Sequence, residues 1–179
     1  MLTLTRFFIA AVVSLPLTVV SMKQSAPTGE RLKVAGTFSV KYVKQEVLAV
    51  GGTDGHILVL AEARGPNHST GRDVYMDGAE VVNQEIGDLT QGNGANNGYL
   101  VFSQHGEASY TRWTGRVTTT LTDGNPNSTL EGAWTKVGGT GRYDGVTGSG
   151  TYTGRMISPA EYVVDWQGEL VLKENTAIR

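Results

Sequence analysis

The stretch Leu32-Lys33-Val34-Ala35-Gly36-Thr37-Phe38-Ser39-Val40-Lys41-Tyr42 decides the fold class. Leu32, Val34, Phe38, Val40 and Tyr42 share one parity, and Lys33, Thr37, Ser39 and Lys41 take the other. Successive side chains of a strand point to opposite faces, so this pattern describes a strand with one buried and one wet face. Wound as a helix, the same residues would scatter their apolar groups around the whole circumference. The last regular stretch repeats the pattern. Tyr162, Val164, Trp166, Leu170 and Leu172 lie on one parity, and Glu161, Asp165, Gln167, Glu169 and Lys173 on the other.

Working inward from these two stretches, His56–Ala63, Tyr99–Gln104, Glu107–Leu121, Thr129–Val137 and Thr151–Ile157 read as further strands. Asp73–Ile86 reads as a strand pair turning at Asp77-Gly78, a strong hairpin dipeptide. Turn clusters stand at Gly51–Gly55, Asp123–Asn127 and Ser158–Ala160, with a tight turn expected around Arg142-Tyr143-Asp144. Gly65–Gly71 (GPNHSTG) and Gly87–Gly98 (GDLTQGNGANNG) read as loops. About eight strands with short connections imply an antiparallel meander. The expected fold is therefore all-β, an eight-stranded antiparallel meander barrel, with a two-sheet sandwich as the alternative. Closure removes exposed strand edges. A barrel of this size is either filled by side chains or holds one small ligand.

Composition agrees. Glycine makes up 24 of 179 residues, about 13%, against roughly 7% in average proteins. Only 18% of residues are charged, which argues against a coiled coil or a charged disordered chain. A net charge of −2 argues against a nucleic-acid binder. Cysteine is absent, so disulfides, thiolate metal sites and a cysteine nucleophile are excluded. Residues 1–21 read as a cleavable signal peptide. Arg6 precedes the 14-residue apolar run Phe7–Val20, which is shorter than the ~20 residues that span a bilayer. The expectation is a secreted or periplasmic protein with no stable membrane span after signal removal. A start at Met22 would instead make it cytoplasmic. Residues 22–31 read as a flexible lead-in, 32–173 as the barrel and 174–179 as a tail.

Few motifs carry chemistry. Gly139-x-Gly141-x-x-x-Gly145 is one residue too long for a dinucleotide fingerprint and lacks a surrounding β-α-β unit, so it reads as tight turns. No Gly-x-Ser-x-Gly elbow occurs. His56, His68 and His105 lie on separate segments without metal-ligand spacing, so no metal is expected. His105 and Glu107, placed at a barrel mouth, could exchange a proton; with Tyr99 they are the catalytic candidates. The bland reading of His105 is a solvated turn residue. Glu62, Glu107, Glu131 and Glu169 read mainly as outward-facing. Tyr42, Tyr110, Trp113, Trp134, Tyr152 and Trp166 are the ligand-binding candidates, because inward rings would line one cavity and offer apolar area plus a donor. Plain core packing is the alternative. Tyr110 and Trp113 differ by an odd step, so both cannot face inward without a bulge. Asn67-His68-Ser69 and Asn127-Ser128-Thr129 fit the glycosylation pattern, which matters only in a eukaryotic secretory host.

Three segments together resemble a known group: Gly36-Thr37-Phe38-Ser39-Val40-Lys41, then Tyr99-Leu100-Val101-Phe102-Ser103-Gln104-His105-Gly106, then Gly139 to Gly150 (GTGRYDGVTGSG). Their order resembles bacterial domains of unknown function placed with the allene-oxide-cyclase-like barrels. The last segment is also similar to the corresponding stretch of plant allene oxide cyclases and dirigent proteins. The resemblance covers residues 32–173 and rests mostly on structural glycines. It implies an eight-stranded meander barrel whose cavity shapes an apolar, reactive small molecule without metal or organic cofactor. It carries over no catalytic residue. Three functions stay open: a cofactor-independent cyclase or isomerase, a non-catalytic carrier of a small apolar molecule, and a structural or interaction barrel with a filled interior. Homo-oligomerisation also stays open. A cavity of roughly 300 Å³ or more with a buried titratable group would favour the first.

Overall fold

A computed structural model describes residues 29–173. The signal sequence expected at residues 1–21, most of the lead-in and the tail lie outside the described residues. Eight strands follow one another: β1 Gly29–Ala49, β2 His56–Ser69, β3 Glu80–Thr90, β4 Asn93–Gln104, β5 Glu107–Thr122, β6 Asn125–Gly139, β7 Thr147–Ser158 and β8 Glu161–Lys173. A single 3-10 turn, Gly141–Tyr143, is the one helical element among the described residues. Each strand pairs antiparallel with the next, and β1 pairs with β8 from Gly29↔Lys173 to Lys41↔Glu161, so the sheet closes into a barrel. The eight-stranded meander barrel expected from the sequence is the observed fold, and the sandwich is not.

Parity behaves as the first stretch implied. Val34, Phe38 and Val40 of β1 and Tyr162, Val164, Trp166 and Leu170 of β8 are buried, while Lys33, Lys41, Asp165 and Glu169 are exposed. β1 runs beyond Tyr42, with a register shift between Tyr42 and Lys44. The shift reverses the phase, so Tyr42 and Gln45, an odd step apart, both reach the interior.

Two stretches expected as loops are strands. GPNHSTG is largely the end of β2: Gly65 and Pro66 pair with Val81 and Glu80. GDLTQGNGANNG supplies the end of β3, the turn Gln91-Gly92 and the start of β4. Glycine and asparagine signalled loops there, but Gly65, Gly94 and Gly98 stand where neighbouring backbone or rings leave no room for a Cβ. Asp73–Ala79 is not a strand of a hairpin; it is a connection between β2 and β3. Three two-residue turns have positive φ at both positions: Gln91-Gly92, His105-Gly106 and Asp123-Gly124. That is the type I′ geometry whose twist matches antiparallel strands.

The two ends differ. One end carries the short turns at 50–55, 91–92, 123–124 and 159–160. The other is closed by the β2–β3 connection and the 3-10 segment. Tyr75, Met76, Ala79, Tyr143 and Val146 are all buried there. Tyr75 acts as the plug, with its ring edge-on to Phe102, Tyr143 and Trp166 at 5.5–5.8 Å between centroids. The buried Asn67 side chain ties the connection down by donating to the carbonyls of Tyr75 and Met76 and accepting from the Trp166 indole. The sequon at Asn67 is therefore closed to modification in the folded barrel.

Four of the inward rings follow one rule. Trp166 stands opposite Gly36, Trp113 opposite Gly98, Trp134 opposite Gly150 and Tyr152 opposite Gly132 in the strand register. A Cβ added at any of these glycines would run into the facing ring. The missing side chain lets each ring lie along the neighbouring backbone instead of projecting across the barrel. Gly36→Ala would also meet the His68 carbonyl, whereas a Cβ at Gly51 meets nothing. Gly36→Ala is expected to lower unfolding free energy by about 1–3 kcal/mol through overpacking, and Gly51→Ala to change it by less than about 0.5 kcal/mol. Denaturant titration of both variants checks this.

Candidate functional site

Because the rings hug the wall, the middle of the barrel is hollow. The cavity measures about 250 Å³. Gln45, Val47 and Pro159 line it at the short-turn end and are exposed there, so the cavity opens to solvent at that end. Its floor lies against Tyr75. Most of the wall is apolar, with Phe38, Val59, Leu100, Phe102, Trp113, Trp134, Val164 and Trp166 contributing. Two polar clusters interrupt it.

The first is centred on Glu85 of β3. Val81, Asn83 and Glu85 share the inward parity, so the strand that buries Val81 also turns the carboxyl into the cavity. Tyr42 of β1 donates its hydroxyl to Glu85 Oε1 at 2.7 Å. The Asn83 amide donates to Oε2 at 2.7 Å, and Tyr162 of β8 donates to the same oxygen at 3.3 Å. Asn83 is itself oriented by the Trp113 indole, which donates to its Oδ1 at 2.9 Å. Burial pushes the Glu85 carboxyl above its usual range, and the three donors pull partly the other way. Burial, and then the Glu85 charge, raise the Tyr42, Tyr152 and Tyr162 phenols, so all three stay protonated. Tyr152 and Asn96 line the same cavity, and Tyr152 Oη and Asn96 Oδ1 are buried without a hydrogen-bond partner among the described residues.

The second cluster sits deeper. Lys136 of β6 shares the inward parity of Trp134 and is buried. Its Nζ donates to Tyr75 Oη at 2.6 Å and to Thr111 Oγ1 at 2.8 Å. It also lies 4.6 Å from the Tyr75 ring centroid, 4.8 Å from that of Phe102 and 5.7 Å from that of Trp134. No carboxylate stands within 4.0 Å of it among the described residues. Burial alone pushes the amine down to about 7.

The ligand-binding candidates read from the sequence divide cleanly. Tyr42, Trp113, Trp134, Tyr152 and Trp166 line the cavity. Tyr110 is on the outer face, since parity turns Trp113 inward. The three catalytic candidates do not reach the cavity. Tyr99 is exposed on the outer face of β4, opposite Gln84. His105 is the first residue of a type I′ turn, with φ of 52°, and is exposed. Glu107 accepts the Arg142 backbone N–H at 2.8 Å, fastening the 3-10 segment. His105 and Glu107 do share a separate hollow of about 180 Å³ with Gln104 and Arg142, outside the closed end. Glu131 and Glu169 are exposed, and Glu62 is bonded to Arg64 on the outside. Glu85 and Lys136 were missed by the sequence reading. For Lys136 a signal was there, since it shares the parity of Trp134 within an expected strand.

Fold and cavity together define a small closed meander barrel with a ligand-sized hollow. Among solved structures, the chain is similar to two pterocarpan synthase dirigent proteins. PsPTS1 shares 14% identity at a TM-score of 0.47, covering 81% of this chain and 97% of that one. GePTS1 shares 14% identity at a TM-score of 0.45, covering 84% and 89%. At this identity no residue role passes from them to this chain. No family model and no curated protein matches the chain.

The pH dependence of stability reports on Glu85. Its folded value is raised above the ordinary 4.5. The protein therefore loses stability as pH rises from about 4.5 through the folded value, because ionisation is easier in the unfolded chain. Glu85→Gln removes this contribution. The difference in unfolding free energy between variant and wild type is expected to grow in the variant's favour across that rise and then level off, as measured by urea titration from pH 4 to 8.

Proposed function

We propose that the protein is an exported barrel that binds an apolar small molecule in its cavity and acts on it as a cofactor-independent isomerase or cyclase. Glu85 is the observation that carries the reading. A carboxyl that burial pushes towards its protonated form, turned into an apolar hollow, can give its proton to a ligand oxygen. The carboxylate left behind already has three donors around it, so the charge that develops meets a prepared environment. The apolar walls would fold a flexible chain into one reactive conformation, gaining rate by proximity and orientation. A cavity of about 250 Å³ lies a little under the roughly 300 Å³ of common ligand pockets, which suits a compact ligand. The run Phe7–Val20 behind Arg6 supports export.

The largely apolar wall equally supports a carrier that releases its ligand unchanged. Small molecules extracted from the purified full chain and identified by mass spectrometry separate the readings. Turnover of the identified ligand, reduced about 10²–10⁴-fold in Glu85→Gln, supports the enzyme. Return of the ligand unchanged by both proteins supports the carrier. Val117 lines the cavity, so Val117→Trp is expected to weaken binding at least about 10-fold through lost volume, read by quenching of Trp113, Trp134 and Trp166. Repeated absence of any ligand, with quenching unaffected by Val117→Trp, would leave a structural barrel.

A further inference from the structure

We propose that Lys136 forms an imine with a ligand aldehyde or ketone at the cavity floor, so that the preferred ligand is an apolar carbonyl compound held covalently. The proposal rests on the reading of the cavity as a ligand site and adds to it a second reactive group, distinct from Glu85.

The geometry supplies what such a lysine needs. Nζ is fixed by two hydroxyls, Tyr75 Oη at 2.6 Å and Thr111 Oγ1 at 2.8 Å, on a residue that lines the cavity. A buried amine with no acidic neighbour is easily left neutral, and the neutral amine is the nucleophile. Its depressed value of about 7 has burial as its one resolved cause. The titratable groups facing it are phenols. Tyr75 comes from the β2–β3 connection, and Tyr143 of the 3-10 segment stands behind Tyr75. From β4, β5 and β6 the neighbours are Phe102, Thr111 and Trp134, which carry no charge. Phe38, Leu100 and Trp166 supply apolar wall for the ligand's chain.

The step balances. The Nζ lone pair attacks the carbonyl carbon, and the carbonyl π pair moves to oxygen. Two protons leave nitrogen and reach that oxygen through the Tyr75 and Thr111 hydroxyls, which end as they began. The C–O bond then breaks and water departs, leaving C=N: an aldehyde and an amine become an imine and water, with no change of oxidation state. When the imine is protonated, the faces of Tyr75, Phe102 and Trp134 stabilise its positive charge as they do the ammonium.

The test uses octanal with cyanoborohydride on the full chain at pH 6.5, followed by peptide mapping. Lys136 at about 7 is partly free at that pH, whereas an amine near the ordinary ~10.4 of a free lysine is almost wholly protonated. The expected result is one octyl group per chain, at least about 10-fold enriched at Lys136 over Lys33, Lys41, Lys44 and Lys173. It should be competed away by 1-octanol and lost in Lys136→Arg. Labelling spread evenly over the lysines, while 1-octanol still quenches the cavity tryptophans, would overturn the imine and leave the binding reading standing. Tighter quenching by octanoate than by octanal, without trapping, would overturn it in favour of ion pairing at Lys136. No quenching by any of the three probes would remove both proposals.

Discussion

Four large rings face four glycines across the strand pairs, and the hollow depends on that arrangement. Three indoles and a phenol projecting straight across an eight-stranded barrel would meet in the middle and fill it. With Gly36, Gly98, Gly132 and Gly150 opposite them, the rings lie along the wall. Each ring then covers backbone that a glycine would leave exposed, and still leaves a void beside it. The high glycine content is thus neither mere loop composition nor a flexibility device. It is the space that lets a barrel be lined with tryptophan and remain open.

Inside that hollow, the protein keeps two ionisable groups that do not pair with one another. Glu85 is held by two phenols and an amide, and Lys136 by two hydroxyls and three ring faces. An apolar pair of similar volume would be at least as stable in such a place. Both groups are pushed towards their neutral forms, the carboxyl up and the amine down. An acid and an amine each pushed towards the neutral form at different depths of one cavity is an arrangement that favours proton transfer and nucleophilic chemistry over structural support. Closure at one end by Tyr75, with an opening at the other, would give a ligand a single direction of entry.

Much of this was legible in the chain. The parity of Leu32–Tyr42 and of Tyr162–Leu172 located the first and last strands, and five of six aromatic candidates do line the cavity. What misled were residues whose usual meaning depends on context. GPNHSTG and GDLTQGNGANNG look like loops, yet Gly65 and Gly94 sit where a neighbouring backbone carbonyl leaves no room for a Cβ. His105 and Glu107 drew attention as a possible proton-exchanging pair, although a turn and a clasp on the 3-10 segment account for both. Glu85 fell in Asp73–Ile86, where the strand boundary was misplaced, so its phase could not be read. Lys136 shares parity with Trp134 within an expected strand, but a lone lysine near a strand end is usually solvated.

The sequence by itself determined the strands, their alternation and their antiparallel order, because period and turn chemistry are local properties of the chain. Which residues meet inside was decided only by the tertiary structure. The pairing of β1 with β8, the register that sets each ring opposite a glycine and the phase reversal after Tyr42 join residues far apart in the chain. The depth of Glu85 and Lys136, and the push of each towards its neutral form, follow from that closure, since burial is a property of the closed barrel and of no single strand.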